Sequence, residues 1–284
     1  MKLKIPEIRT RDDYYRALFG TPKPEVEETS PVLDKLKEDA AKCKKTLEGK
    51  FRIEELDDRY RFHNLEYHGG VYTVDWSKDL LDNGVSHKQE DWIGIVADGE
   101  FKLPSASLYH ATIKALYENQ DHPVDEQQDL VQTVREVFQK DFKGRWMMTS
   151  TRVKYASKNK GWFKKQQPDI VTHDWKTKNA RTVNGSYVGP DGYVNETSDF
   201  EDVINAILGT DDLTLVEEAY EWIGKEGKKP YLWRVNQTPK KDVERAVVLG
   251  VYVNSNRFGI YANDVIYYYG PVRGVVTQKI FQGK

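Results

Sequence analysis

Cysteine is almost missing from this chain: Cys43 stands alone among 284 residues. That excludes a disulfide framework, a CxxC redox pair and a thiolate zinc site, and it fits a reducing compartment. Long apolar runs are missing as well. The longest, residues 246–253, is interrupted by Gly250 and falls far short of the ~20 residues a membrane span needs. The first seven residues carry charge but no apolar core of the kind a secretion signal requires. The sequence therefore predicts a cytoplasmic protein that makes no membrane contact. The familiar nucleotide and hydrolase signatures (GxxxxGK[ST], GxGxxG after a strand, GxSxG, HExxH) are absent too, and no cofactor is expected. A site assembled from scattered residues stays open.

A large excess of one charge is also lacking, with 43 Lys and Arg against 45 Asp and Glu. This argues against a uniformly basic coat for nucleic acid. What is present in quantity is aromatic: 7 Trp, 17 Tyr and 10 Phe. Aromatics are depleted in disordered chains, so a mean hydropathy of -0.73 describes a charged surface around a real core.

The periodicities predict an α+β protein of antiparallel sheets flanked by helices, in two closely packed lobes after an N-terminal helical arm. Residues 1–50 form the arm and an amphipathic helix. Ser30 caps that helix, Pro31 opens it, and Val32, Leu36, Ala40, Cys43 and Leu47 make its apolar stripe. Cys43 reads as a small core residue. Residues 51–195 make the first lobe, with hairpin signals at His68-Gly69-Gly70 and at Asp98-Gly99, the latter between strands over 91–97 and 100–103. Two helices follow, then a long strand over 145–155 and its partner over 169–175. Residues 196–284 make the second lobe, with two short helices and a tyrosine-rich antiparallel sheet. Two helices and a Trp-bearing strand occur in both lobes, a pattern that duplication or coincidence would produce.

The near-neutral total conceals a partition. Residues 144–183 hold ten Lys or Arg against two Asp, residues 184–224 hold ten Asp or Glu and no Lys or Arg, and the last sixty residues are basic again. In the first basic block Arg152, Lys154, Lys158, Lys160, Lys164 and Lys165 surround Trp162. Cations beside aromatic faces bind a phosphate backbone while bases stack on the rings. The leading expectation is a non-enzymatic binding protein that contacts nucleic acid, or a nucleoprotein assembly, through 145–182. Lysines protecting an exposed edge, charges paired inside the molecule, and an acidic protein surface as partner are the alternatives. The tyrosine-rich end, with Tyr252, Tyr261, Tyr267, Tyr268, Tyr269, Arg257 and Arg273, suits a partner-binding or homo-oligomeric face.

Two weaker sites point to a metal-assisted hydrolase or nuclease. His63 and Asp75 could meet across the first hairpin as metal ligands, with His68 at the turn pointing to solvent. His173 could serve as a catalytic base, with Arg152 or Lys154 on the neighbouring strand. His173 and Asp169 lie too far apart along one strand to touch.

Overall fold

The computed structural model describes residues 50–157, 169–178, 180–185, 192–194, 200–225, 227–233, 242–252, 254–264 and 270–280. The expected arm, the helix carrying Cys43, and Lys158, Lys160, Trp162, Lys164 and Lys165 lie outside these residues. Strands β1 (Arg52–Glu55), β2 (Arg59–Tyr67) and β3 (Gly70–Leu80) lead into helices α1 (Gln89–Ile95), α2 (Ala106–Glu118) and α3 (Asp125–Phe142). Strands β4 (Trp146–Tyr155), β5 (Asp169–His173), β6 (Arg181–Gly185) and β7 (Gly192–Tyr193) precede α4 (Phe200–Leu208) and α5 (Leu213–Ile223). Strands β8 (Tyr231–Trp233), β9 (Val243–Val251), β10 (Phe258–Asp264) and β11 (Arg273–Lys279) follow.

These elements make a mixed α+β fold. One sheet has the order β1-β2-β3-β11, and the other the order β6-β5-β4-β9-β10-β8-β7. Pairing is antiparallel except between β10 and β8, which run parallel, so the larger sheet is mixed rather than purely antiparallel as expected. Both sheets take strands from either side of residue 195.

Helices α2 and α3 pack against both sheets. Trp76 of β3 meets Tyr109 of α2 and Phe138 of α3, and Phe142 of α3 meets Phe258 of β10. One continuous core therefore runs from sheet through helices to sheet. Ser105 starts α2 by accepting the Leu108 amide at 3.1 Å, as an N-cap serine does. At the free edge of β1, the Gln127 side chain from α3 satisfies both the amide and the carbonyl of Ile53, at 2.7 and 2.9 Å.

The first hairpin forms as expected. Tyr67 pairs with Gly70, while His68 and Gly69 occupy the left-handed region, with φ of 49° and 68°. The expected second hairpin does not form, because residues 89–95 are helix α1. Trp92 and Val96, four apart, bury together, and Glu90 and Asp91 occupy the favourable first turn. Asp98-Gly99 lies in the turn that follows. There the Lys102 ammonium bonds the carbonyls of Val96, Ala97 and Gly99 at 2.7–2.9 Å. No helix among the described residues is long and apolar enough to cross a membrane.

Candidate functional site

Alternation along a strand sends neighbouring side chains to opposite faces, and the seven-stranded sheet uses its two faces differently. Leu232, Val247, Leu249, Phe258 and Ile260 join the main core with the helices. On the opposite face, Met148, Ala246 and Val248 are covered by Trp92 of α1 and by Val272. Beyond that cover the same face carries six half-buried rings: Trp146, Tyr193, Tyr231, Trp233, Tyr252 and Tyr261.

The register explains how they fit. Trp146 stands opposite Gly250, Gly250 opposite Gly259, Gly259 opposite Tyr231, and Tyr231 opposite Tyr193. The two glycines leave a trough two strands wide in which the Trp146 indole lies. A Cβ on Gly259 would come within 2.9 Å of that ring, and one on Gly250 within 3.1 Å. Trp146 and Trp233 each contact both Tyr252 and Tyr261, with centroids 4.7–5.5 Å apart. Tyr231 continues the cluster to Tyr193, 5.1 Å away.

The guanidinium of Arg257 lies 4.4 Å over the Tyr193 ring and 6.0 Å from that of Tyr231. Its Nε is buried and has no hydrogen-bond partner among the described residues. Lys143 and Arg145, both exposed, precede Trp146. Among the described residues, none of Lys143, Arg145 and Arg257 forms an ion pair.

The two described members of the expected basic site, Arg152 and Lys154, differ in exposure. Arg152 is 5% exposed. It bonds Gln89 at 2.9 Å and Glu244 at 3.1 Å, and it lies over the Trp175 ring. Glu244 answers its charge inside the fold, while its Nη2, like the Arg257 Nε, has no hydrogen-bond partner among the described residues. Lys154 is exposed, with the Asp242 carboxylate 3.9 Å away. Arg273, expected on a partner face, is buried against Asp141 at 2.7 Å and the Ser77 carbonyl. His63 and Asp75 are not brought together: His63 bonds Glu54 at 2.9 Å, and Asp75 faces Arg61 at 2.8 and 2.9 Å. Among the described residues no group of three or more His, Cys, Asp or Glu is placed to hold a metal ion.

His173 sits within a network of hydroxyls and imidazoles. Its Nε2 meets the Ala206 carbonyl at 3.0 Å, so that nitrogen carries the proton. Nδ1 then accepts from the Thr151 hydroxyl at 3.1 Å, with Ser107 farther off at 3.4 Å. Burial lowers the His173 pKa to about 4. His68 does not point to solvent as expected. Its ring packs on Tyr67 at 4.0 Å, and Nε2 reaches Ser107 at 3.3 Å. Nδ1 takes the Arg181 guanidinium, which can only donate, so the proton sits on Nε2 and points at Ser107. Burial, then Arg181, lowers the His68 pKa to about 4.

Ser107 also contacts Ser105 at 3.0 Å and is 1% exposed. It receives a proton from one histidine and finds the other engaged by Thr151. In this arrangement the network ties the hairpin tip to α2, β5 and α4, and Ser107 is not set up as a nucleophile. A cleft of about 630 Å³ opens beside it, lined by Tyr67, His68, Lys114 and Lys279 among others, but Ser107 and His173 do not line it.

Compared with known proteins, this chain matches no family model, no curated protein and no solved structure.

Proposed function

We propose that this protein binds nucleic acid on the outer face of the seven-stranded sheet, where Arg257 meets the aromatic cluster. The observation that carries the reading is Arg257 itself: a guanidinium over Tyr193 and within 6.0 Å of the Tyr231 centroid, with a buried Nε that no group among the described residues answers. A buried donor left unpaired costs about 1–3 kcal/mol, and a phosphate oxygen would relieve it with a charge-assisted bond. Lys143 and Arg145, exposed in the chain just before Trp146, are two further cations without ion pairs among the described residues. A neutral ligand such as a glycan would use the rings but leave all three charges unanswered. The basic aromatic segment 145–182 keeps a part in this reading: Arg145 and Trp146 open it, and Lys158, Lys160, Lys164 and Lys165 are its further candidates for phosphate contact.

The test is fluorescence anisotropy of labelled oligonucleotides at about 50 and 200 mM salt, a range over which phosphate-dominated binding weakens by orders of magnitude. Wild type is compared with Arg257→Glu and with a variant changing Lys158, Lys160, Lys164 and Lys165 to Glu. Salt-sensitive binding that Arg257→Glu abolishes supports the reading. Binding lost only in the lysine variant moves the site to the basic segment. No binding at the lower salt, together with self-association measured by light scattering, would show that the face serves a second copy of the chain and would end the nucleic-acid reading.

A further inference from the structure

We infer that the nucleic acid taken up here is single-stranded, with unpaired bases lying against Tyr231 and Tyr193 and a phosphate held by Arg257. This rests on the reading above and narrows it. A duplex keeps its base faces stacked on one another and offers a flat sheet only phosphates and groove edges. Against a duplex the cations would be used and the rings would stand idle. An unpaired base presents both faces, and each face that stacks on an aromatic side chain strengthens binding.

The sheet commits much of its surface to keeping these rings available. Gly250 and Gly259 have no side chains on this face, and the space they free is filled by the Trp146 indole. Trp146, Tyr252, Trp233 and Tyr261 brace one another in a closed ring of contacts. Trp233 passes the support to Tyr231 at 6.2 Å. Tyr231 and Tyr193 meet edge to face, with planes 85° apart, so the two rings do not cover each other's faces fully. They are half-buried rather than enclosed, and Arg257 lies over one face of Tyr193. They lie on the two strands farthest from α1 along this half of the sheet, away from the side chains that cover Met148 and Val248. Arg257 bridges the pair from above and puts a positive charge within one side chain's length of both rings. Rings that stack without reading base edges bind with little regard to sequence, so any preference is for unpaired bases rather than for a particular motif.

The experiment compares a labelled oligothymidylate of about a dozen nucleotides, a length within the range single-strand folds cover, with a blunt duplex of equal length. Binding is read by anisotropy and by quenching of tryptophan fluorescence. The single strand is expected to bind at least about tenfold more tightly. Tyr231→Ala and Tyr193→Ala should each weaken it by roughly 5- to 150-fold, the range per stacked base, and weaken the duplex less, so that the preference for the single strand shrinks. Tyr231→Phe keeps the ring face and should keep the affinity, which separates stacking from loss of fold; thermal melting of each variant checks the fold directly. Equal affinity for duplex and single strand, unmoved by the tyrosine variants, would overturn this inference and leave the nucleic-acid reading standing on its cations. Failure of both oligonucleotides to bind would overturn the reading itself.

Discussion

Gly259 and Trp146 are fitted to each other: a methyl group at residue 259 would come within 2.9 Å of the indole Cη2, and equally close to the Tyr252 ring. Gly259→Ala is therefore expected to tilt Trp146 out of its trough. The cost of such overpacking is typically ~1–3 kcal/mol. The change should lower the melting temperature and shift tryptophan emission toward longer wavelength. Gly250→Ala should be worse, because the added carbon would run into the Arg145 carbonyl as well as the indole. A Gly259→Ala protein with unchanged melting and emission would show that the trough has slack.

Arg152 is buried in the fold, away from the solvent. Arg152→Ala leaves the Gln89 Oε1 without its donor and takes one of two cations from the Trp175 ring, where Lys176 stays 4.4 Å from the centroid. A loss of about 2–3 kcal/mol is expected in urea unfolding, below the range for a fully buried pair because Glu244 is partly solvated. Oligonucleotide affinity, measured on the folded fraction, should not change.

The histidines set the response to acid. His173 is held near pKa 4 and His110 near 3, both mainly by burial, whereas an unfolded histidine titrates near 6.5. Between those values the unfolded chain binds protons that the folded chain refuses, so stability falls as pH drops from about 6.5 toward 4. His173 alone can contribute at most ~3 kcal/mol of this. Urea midpoints measured across that window should fall steadily. A flat profile would show that these imidazoles are hydrated in solution.

His110 has neither ring nitrogen bonded and lies stacked on Tyr220 at 5.8 Å. Replacing an unsatisfied buried polar group by an apolar one of similar size is neutral to stabilising. His110→Leu should raise the unfolding free energy by about 1 kcal/mol and make the acid limb shallower, both visible in the same titration.

Element types were largely legible in the sequence, and contacts between elements were not. The strand over 145–155, the helices after Ser105 and the hairpin at His68-Gly69 follow from periodicity and turn chemistry. The segment 91–97 misled because an apolar run flanked by Asp-Gly fits a buried strand and a short helix alike. Only Trp92 and Val96, burying together, decide for the helix. The burial of Arg152 was illegible for a related reason: its sequence neighbours are cations, but its spatial neighbours Gln89 and Glu244 come from other elements. The aromatic cluster was half visible. Tyr252, Tyr261 and Arg257 stood out as a possible interface, whereas Trp146, Tyr193 and Tyr231 join them only through a register running over two glycines. Tyr231 and Trp233, two apart on one strand, were the one local sign of a shared face.

An edge strand is an open invitation to another copy's backbone, and β1 declines it through a side chain. The carboxamide of Gln127 offers one acceptor and one donor to Ile53, the pair of groups a further strand would bring. At Ile53 this edge of the small sheet is finished by an amide that belongs to a helix and cannot propagate. A chain without that amide would leave the amide and carbonyl of Ile53 open to the backbone of a further strand.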